Sequence, residues 1–175
     1  MKKIILSLVV IAAVIIGCKT KNNSEDSKKL TITLEPKSNS SVTGTATFTE
    51  KKGEVTFVAK ISGLKPGVHA IHIHEKSDCT AADGSSAGGH WNPTFKKHGK
   101  WGSAEYHKGD IGNFTADEKG NGTITLTTNE WCIGCGDPTK DVLGKGLIVH
   151  QDPDDYVSQP AGNAGARVAC SAIIK

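Results

Sequence analysis

VTGTATFTEKKGEVTFVAKI, residues 42–61, consists of two alternating runs about a Lys51-Lys52-Gly53 turn. Val42, Gly44, Ala46 and Phe48 alternate with threonines in the first run, and Val55, Phe57, Ala59 and Ile61 repeat the pattern in the second. A period of two puts the apolar residues on one face, which is the pattern of half-buried antiparallel strands. The same reading extends outward. Leu30, Ile32 and Leu34 alternate ahead of it, and Leu64-Lys65-Pro66-Gly67 is a turn behind it. Further strands are expected at 68–74, 110–116, 123–127, 146–150 and 166–174, with Glu118-Lys119-Gly120 turning the chain between two of them. No stretch has a convincing helical period. The chain is therefore expected to be all-β, an eight-stranded antiparallel Greek-key barrel or sandwich. Two connections, about 76–109 and 151–165, exceed what a compact domain carries without purpose and are expected to be functional loops.

The first seventeen residues stand apart. Met1-Lys2-Lys3 is basic, Ile4 to Ile16 is an apolar run of thirteen, and Gly17 directly precedes Cys18. Such a run is short for a bilayer and matches the apolar region of an export signal. Ile16-Gly17-Cys18 resembles a bacterial lipobox, so residues 1–17 are expected to be a lipoprotein signal peptide and Cys18 the lipidated N-terminus. An ordinary secretory signal is the alternative, and both readings export the chain. Residues 18–29 then form the lipidated cysteine and a polar tether, and residues 30–175 the domain. The expected location is a bacterial membrane surface, in the periplasm or on the cell exterior.

The full chain has 21 basic and 18 acidic side chains. Loss of residues 1–17 removes two lysines and no acid, leaving a net charge of +1. No basic patch points to nucleic acid. Export permits disulfides. With Cys18 set aside, Cys79, Cys132, Cys135 and Cys170 form an even set with three possible pairings. The simplest joins Cys79 to Cys170 and Cys132 to Cys135. The latter two make a C-x-x-C, which also fits a redox pair or half of a zinc site. Without a surrounding βαβ pattern or a second C-x-x-C, a structural clip is favoured.

Histidine placement points to metal. Between Gly89 and Gly112, a stretch with no helical or strand period, lie His90, His98, His107 and Asp110. Those residue types hold metals, and a metal is what orders such a loop. His72 and His74, two apart on the expected fourth strand, share one face, while Ile71 and Ile73 take the other. His150 ends the apolar run Leu147-Ile148-Val149 and can reach the same region. Several imidazoles with open access suit copper, because nitrogen ligands in a tetragonal array favour Cu(II). His98, His107 and Asp110 with His90 supply three nitrogens and one oxygen, a closed tetrahedral set suited to structural zinc. His90 is needed by both sets. An imidazole has two nitrogens and, deprotonated, bridges two metals. His69 falls on the Ile71/Ile73 face and is expected to be a buried hydrogen-bonding residue, not a ligand.

With these residues in place the chain, from about Leu30 to Lys175, resembles the copper/zinc superoxide dismutase family. The resemblance rests on Gly67-Val-His69-Ala-Ile-His72-Ile-His74-Glu75, Gly89-His90-Trp91-Asn92-Pro93, His98-Gly99 and His107-Lys-Gly-Asp110-Ile-Gly-Asn113. It continues through Val149-His150, Asp154-Asp155 and Gly162-Asn-Ala-Gly165-Ala-Arg167-Val-Ala-Cys170. The family is a recognised case of a β-sandwich enzyme that steers its anionic substrate electrostatically. The resemblance implies a superoxide dismutase that forms O2 and H2O2 by cycling copper between Cu(II) and Cu(I). Copper would be held by His72, His74, His90 and His150, and zinc by His90, His98, His107 and Asp110. It implies that His90 carries the catalytic proton and that Arg167, the chain's only arginine, attracts and orients superoxide. Asp154 matches the carboxylate that links a copper histidine to a zinc histidine, a better match than Asp155. Cys79 and Cys170 match the family's disulfide.

Three departures accompany the match. No lysine stands between His150 and Arg167, where eukaryotic members place steering lysines, so Lys140 and Lys145 are candidate substitutes. The Trp131-Cys-Ile-Gly-Cys135-Gly-Asp insertion has no counterpart in the eukaryotic pattern, and the segment from Cys79 to His90 is longer. A metal buffer on the same scaffold is the rival reading, but it is expected to lack a copper ligand or the arginine, and none is missing. The expected partners are superoxide and, through the lipid, a membrane. A homodimer is a candidate assembly on which the strand pattern is silent.

Overall fold

The computed structural model describes residues 27–175. The expected signal peptide, Cys18 and the tether up to residue 26 lie outside the described residues. Eight strands follow in order: β1 (Lys28–Pro36), β2 (Thr43–Lys51), β3 (Glu54–Ser62), β4 (Gly67–His74), β5 (Gly112–Ala116), β6 (Gly122–Thr128), β7 (Lys145–His150) and β8 (Arg167–Ile173). Every neighbouring pair is antiparallel, and the order β1-β2-β3-β6-β5-β4-β7-β8 closes into a barrel. β4, β5 and β6 are successive neighbours and β7 returns beside β4, which is a Greek key. The all-β expectation holds.

One boundary moves. β1 begins at Lys28 rather than at Leu30, because Lys28 pairs opposite Glu50 and its ammonium reaches both the Glu50 carboxylate (3.4 Å) and the Ile133 carbonyl (3.0 Å). Two residues assigned to the tether are thus strand. Local charge pairing, invisible to apolar periodicity, sets the start.

The alternation in residues 42–61 divides the sheet as expected. Ala46, Phe48, Val55, Phe57, Ala59 and Ile61 all point into the core. Phe48 and Phe57 face each other across the β2/β3 pair with ring centroids 5.0 Å apart, and Trp131 packs 6.2 Å from each. On the outer face, threonine hydroxyls pair across strands, Thr31 with Thr47 at 3.0 Å and Thr56 with Thr127 at 3.2 Å.

β4 departs from the half-buried pattern, since every residue from His69 to His74 is buried. Ile71 and Ile73 belong to the core, so the opposite face must be covered by something other than the barrel. The long β4–β5 connection covers it. Glu75 N–H donates to the Gly89 carbonyl, Trp91 N–H to the Ile73 carbonyl, and Ile73 N–H to the Gly109 carbonyl, at 2.8–3.0 Å. Gly109 sits so close that a Cβ would lie 2.0 Å from the Ile73 carbonyl oxygen, and only glycine permits the approach.

At the other edge, β7 and β8 pair regularly until Val149↔Ala169 and then slip by one residue to His150↔Arg167. Bulges of this kind re-aim side chains. This one sets Arg167 directly opposite His150.

Phe57→Ala is expected to destabilise the fold by about 3–5 kcal/mol, because it opens a cavity against Phe48 and Trp131. Thr56→Ala, one residue away on the outer face, loses only the hydroxyl pair with Thr127 and should cost no more than about 1 kcal/mol. Urea titration of both variants compares them directly.

Candidate metal centre

Three parts of the fold converge. β4 supplies His72 and His74, β7 supplies His150, and the β4–β5 loop supplies His90, His98, His107 and Asp110. One ligand atom from each of His72, His74, His90 and His150 lies within 4.8 Å of the others, and the same is true of His90, His98, His107 and Asp110. All seven side chains are buried. His90 belongs to both groups, with its ring centroid 4.1 Å from that of His72, 5.0 Å from that of His74 and 5.7 Å from that of His107.

The orientation of the rings is set from outside. His72 Nε2–H donates to Asp154 Oδ2 and His98 Nε2–H to Asp154 Oδ1, both at 2.9 Å. His74 Nδ1–H donates to the Gly88 carbonyl at 2.9 Å, and His107 Nε2–H to the Lys96 carbonyl at 3.1 Å. Each bond occupies one nitrogen and leaves the other facing the cluster, the arrangement by which outer partners orient metal-ligating histidines. The inward atoms His72 Nδ1, His90 Nε2, His98 Nδ1 and His107 Nδ1 are fully buried without a hydrogen-bond partner. His150 Nδ1 also lacks one at good geometry, although the Gly165 backbone lies close enough to favour its charged form. His74 Nε2 and His150 Nε2 lie 3.4 Å apart.

Buried polar atoms are nearly always satisfied, and an orphan costs free energy. So many orphans aimed at two common points are accounted for by cations at those points. In the second cluster, His90, His98 and His107 each direct Nδ1 at the Asp110 carboxylate, at 2.8, 3.0 and 3.2 Å. Three nitrogens and one oxygen suit zinc, and the more open all-imidazole group suits copper. The donor sets fit these two metals.

Protonation follows the same division. Burial holds His90 down to about 4, with neighbouring His72 adding to the effect and Asp110 opposing it. Burial likewise lowers His74, helped by His90, and His150, helped by His72. These rings are neutral at neutral pH, the form that ligates. His98 goes the other way. Burial opposes its charge, but the Asp110 and Asp154 carboxylates against its two nitrogens outweigh burial and raise it to about 9. Burial also works against charge on Asp110 and Asp154, yet their histidine partners hold both well below the usual carboxylate range.

The all-imidazole cluster opens to solvent through a cleft of about 460 Å³, lined by His74, His90, His150, Asn163 and Arg167 among others. Arg167 is anchored by Nη1–H to the Gly84 carbonyl and Nη2–H to the Gly88 carbonyl, both at 2.8 Å. Cys79 is disulfide-bonded to Cys170, and Cys132 to Cys135. The first ties the loop that carries Gly84 and Gly88 to β8, the strand that Arg167 begins. Two disulfides belong to an oxidising compartment, as expected of an exported chain.

His69 is no ligand. Its ring nitrogens face the Lys65 carbonyl at 2.8 Å and the His150 carbonyl at 3.2 Å, as its strand face implied. Asp155 is spent on the Val157 and Ser158 N–H groups, which leaves Asp154 as the linking carboxylate. Neither Lys140 nor Lys145 lines the cleft. Lys140 Nζ donates to the Asn129 carbonyl, and Lys145 Nζ lies 5.6 Å from the centre of the Trp91 ring. Two supporting residues had no role assigned from the sequence, although Asn113 ends one of the stretches that carry the family resemblance. The Gln159 amide clasps the His98 backbone at both ends, accepting from its N–H and donating to its carbonyl at 2.9 Å. The Asn113 amide clasps the Asp154 backbone in the same way at 2.8 Å.

A Greek-key barrel carrying two adjoining buried metal-ligand clusters that share one imidazole defines a two-metal redox protein. A family model described as copper/zinc superoxide dismutase (SODC) matches residues 42–173. The chain is also similar to a solved structure titled "Crystal Structure Analysis of the clock protein EA4", with 32% identity and a TM-score of 0.72 over 82% of this chain and 92% of that one. The chain belongs to the copper/zinc superoxide dismutase family of oxidoreductases, whose cofactors are copper and zinc.

The lowered His74, His90 and His150 and the raised His98 give the metal-free chain two opposed pH limbs. A lowered base contributes stability that is present above the unfolded value of 6.5 and lost as pH falls from 6.5 toward 4, because the unfolded chain takes up the proton first. The raised His98 contributes below 6.5 and loses that contribution as pH climbs through about 9. In chelator, His90→Gln should flatten the acid limb by roughly 3 kcal/mol, while His98→Gln should flatten the alkaline one. Urea unfolding across pH 4–9 measures both, and an acid limb unchanged in His90→Gln would refute the assignment.

Proposed function

We propose that the chain disproportionates superoxide outside the cytoplasm, with copper held by His72, His74, His90 and His150 and zinc by His90, His98, His107 and Asp110. The observation that carries this reading is the single ring of His90, whose Nδ1 meets Asp110 while its orphaned Nε2 faces the imidazole cluster. When bound, copper relays one electron from a first superoxide to a second by alternating between Cu(II) and Cu(I), and zinc places a fixed positive charge beside the shared ring. Two superoxide anions and two protons thereby become O2 and H2O2.

The protein's own groups supply the rest. Arg167 attracts the anion and orients it in the cleft. Its bonds to the Gly84 and Gly88 carbonyls fix the guanidinium plane and leave further N–H donors for the substrate. His90 Nε2 takes up a proton in one half-cycle and returns it in the other. Burial disfavours the added charge, so the proton is readily surrendered. Asp154 holds His72 and His98 by one carboxylate, so the two ligand sets cannot drift apart. The presence of every ligand together with Arg167 favours an enzyme over a metal buffer.

The domain is further proposed to be a lipoprotein, anchored through Cys18 after removal of residues 1–17. Support comes from the Gly17-Cys18 junction behind a basic and apolar leader.

The purified domain loaded with both metals is expected to accelerate superoxide decay, and failure to do so ends the dismutase reading. Arg167→Ala should keep its metal content and lose about tenfold or more in rate, together with much of its salt dependence. Loss of metal in that variant would make Arg167 structural instead. For the anchor, radiolabelled fatty acid fed to expressing bacteria should appear in the wild-type protein and be absent from Cys18→Ser.

A further inference from the structure

The Cys132–Cys135 pair lies in the β6–β7 connection, takes no part in the metal centre above, and is held in an unusual way. Asp141 meets the loop as a template. Its Oδ1 accepts the Gly134 and Leu143 N–H groups at 2.9 and 3.0 Å, and its Oδ2 accepts the Gly136 N–H at 2.9 Å. Gly134 and Gly136 adopt left-handed φ values of 66° and 77°, which turns both N–H groups around Cys135 onto one carboxylate. Cys132 is clamped separately, its N–H donating to the Lys140 carbonyl at 2.9 Å and its carbonyl accepting from Val142 at 3.1 Å. The Ile133 N–H is bonded to Glu50 on β2 at 2.9 Å.

Backbone hydrogen bonds therefore define this loop without help from sulfur. The disulfide closes a separation of only 3 residues, against 91 for Cys79–Cys170, and so constrains the unfolded chain far less. Cys132 is buried while Cys135 is exposed, so a reductant has access from one side. Cys170 is fully buried and Cys79 partly so, which makes that bridge the less accessible of the two. A cross-link that the loop does not require, exposed at one sulfur, is better suited to opening than to stapling.

We propose that the reduced Cys132–Cys135 pair is a second copper site, selective for Cu(I) and separate from the histidine centre. One ligand atom each from Cys132, Cys135 and Asp141 already lies within 4.8 Å of the others. Soft thiolates select Cu(I). The Asp141 carboxylate is a hard donor already engaged by three N–H groups, so it shapes the loop rather than completing a shell. Among the described residues no further cysteine or histidine joins the group, whereas structural zinc requires four ligands. Two sulfurs in a preformed loop suit a two-coordinate monovalent ion.

The chemistry balances with one external reductant of the dithiol class. The Cys132–Cys135 S–S bond breaks, the two sulfurs take two electrons and two protons, and the reductant closes its own disulfide. Cu(I) then displaces the two thiol protons with no further change in oxidation state. The inference does not depend on the dismutase reading.

The test uses the full mature chain with its histidine centre already loaded with copper and zinc. After limited dithiothreitol treatment, alkylation and mass mapping should mark Cys132 and Cys135 and leave Cys79 and Cys170 bridged. Titration with Cu(I) against a chromogenic Cu(I) chelator should then show one additional equivalent bound, with ultraviolet thiolate-to-copper absorption. Cys135→Ser, at an exposed position, and the Cys132→Ser/Cys135→Ser pair should lose that equivalent while keeping dismutase activity. Asp141→Ala should retain the thiols and weaken Cu(I) binding about tenfold or more. Equal Cu(I) uptake in wild type and the serine variants would overturn the proposal, as would earlier opening of Cys79–Cys170 or zinc binding as tight as Cu(I).

Discussion

One imidazole with two buried nitrogens sets the terms for the rest of the structure. His90 Nδ1 has an acceptor in Asp110, and Nε2, buried at the inner end of the cleft, has none. Each unsatisfied ring nitrogen in the two clusters raises the free energy of the empty fold, so the loop carrying His90, His98 and His107 is tuned for the metal-bound state. The two clusters are not independent sites placed close together. They share a ring, and Asp154 joins His72 of one to His98 of the other from outside.

That demand reaches into the barrel. His90 approaches β4 because Gly109 and Trp91 extend the sheet beyond the end of β5, with Gly109 pressed against the Ile73 carbonyl. Arg167 faces His150 because β8 gains one residue relative to β7 at the bulge. The Cys79–Cys170 bridge keeps the Gly84 and Gly88 carbonyls near that same strand. Ligand, guanidinium and covalent tie are therefore set by one strand pair and one loop.

The class of fold was legible because a strand with one wet face must alternate, and residues 42–61 do so in two runs on either side of the Lys51-Lys52-Gly53 turn. The two candidate ligand groups were legible because metals take few residue types and the family spacing is unbroken. The supporting bonds were not. Arg167 and His74 are oriented by backbone carbonyls at Gly84 and Gly88, and a carbonyl carries no side-chain signature. Gln159 and Asn113 act through their amides on the backbones of distant residues, and such a partnership exists only after folding. The start of β1 escaped for a related reason, since the Lys28–Glu50 contact spans a hairpin. Lys140 and Lys145 are the opposite case, legible as cations yet placed away from the cleft.

The charge distribution follows from that placement. A chain with a net charge of only +3 exerts little long-range pull on an anion, and what field exists beyond about 8 Å is screened at physiological salt. On the function proposed above, attraction is therefore local. Among the described residues the cleft is lined by a single fixed cation, Arg167, whose charge burial disfavours and nearby Asp83 supports. A guanidinium keeps its proton under such conditions where an ammonium would shift more readily. Two carbonyls hold it at the mouth of the imidazole cluster, so on the function proposed above one fixed arginine stands where a spread of surface lysines would otherwise be needed.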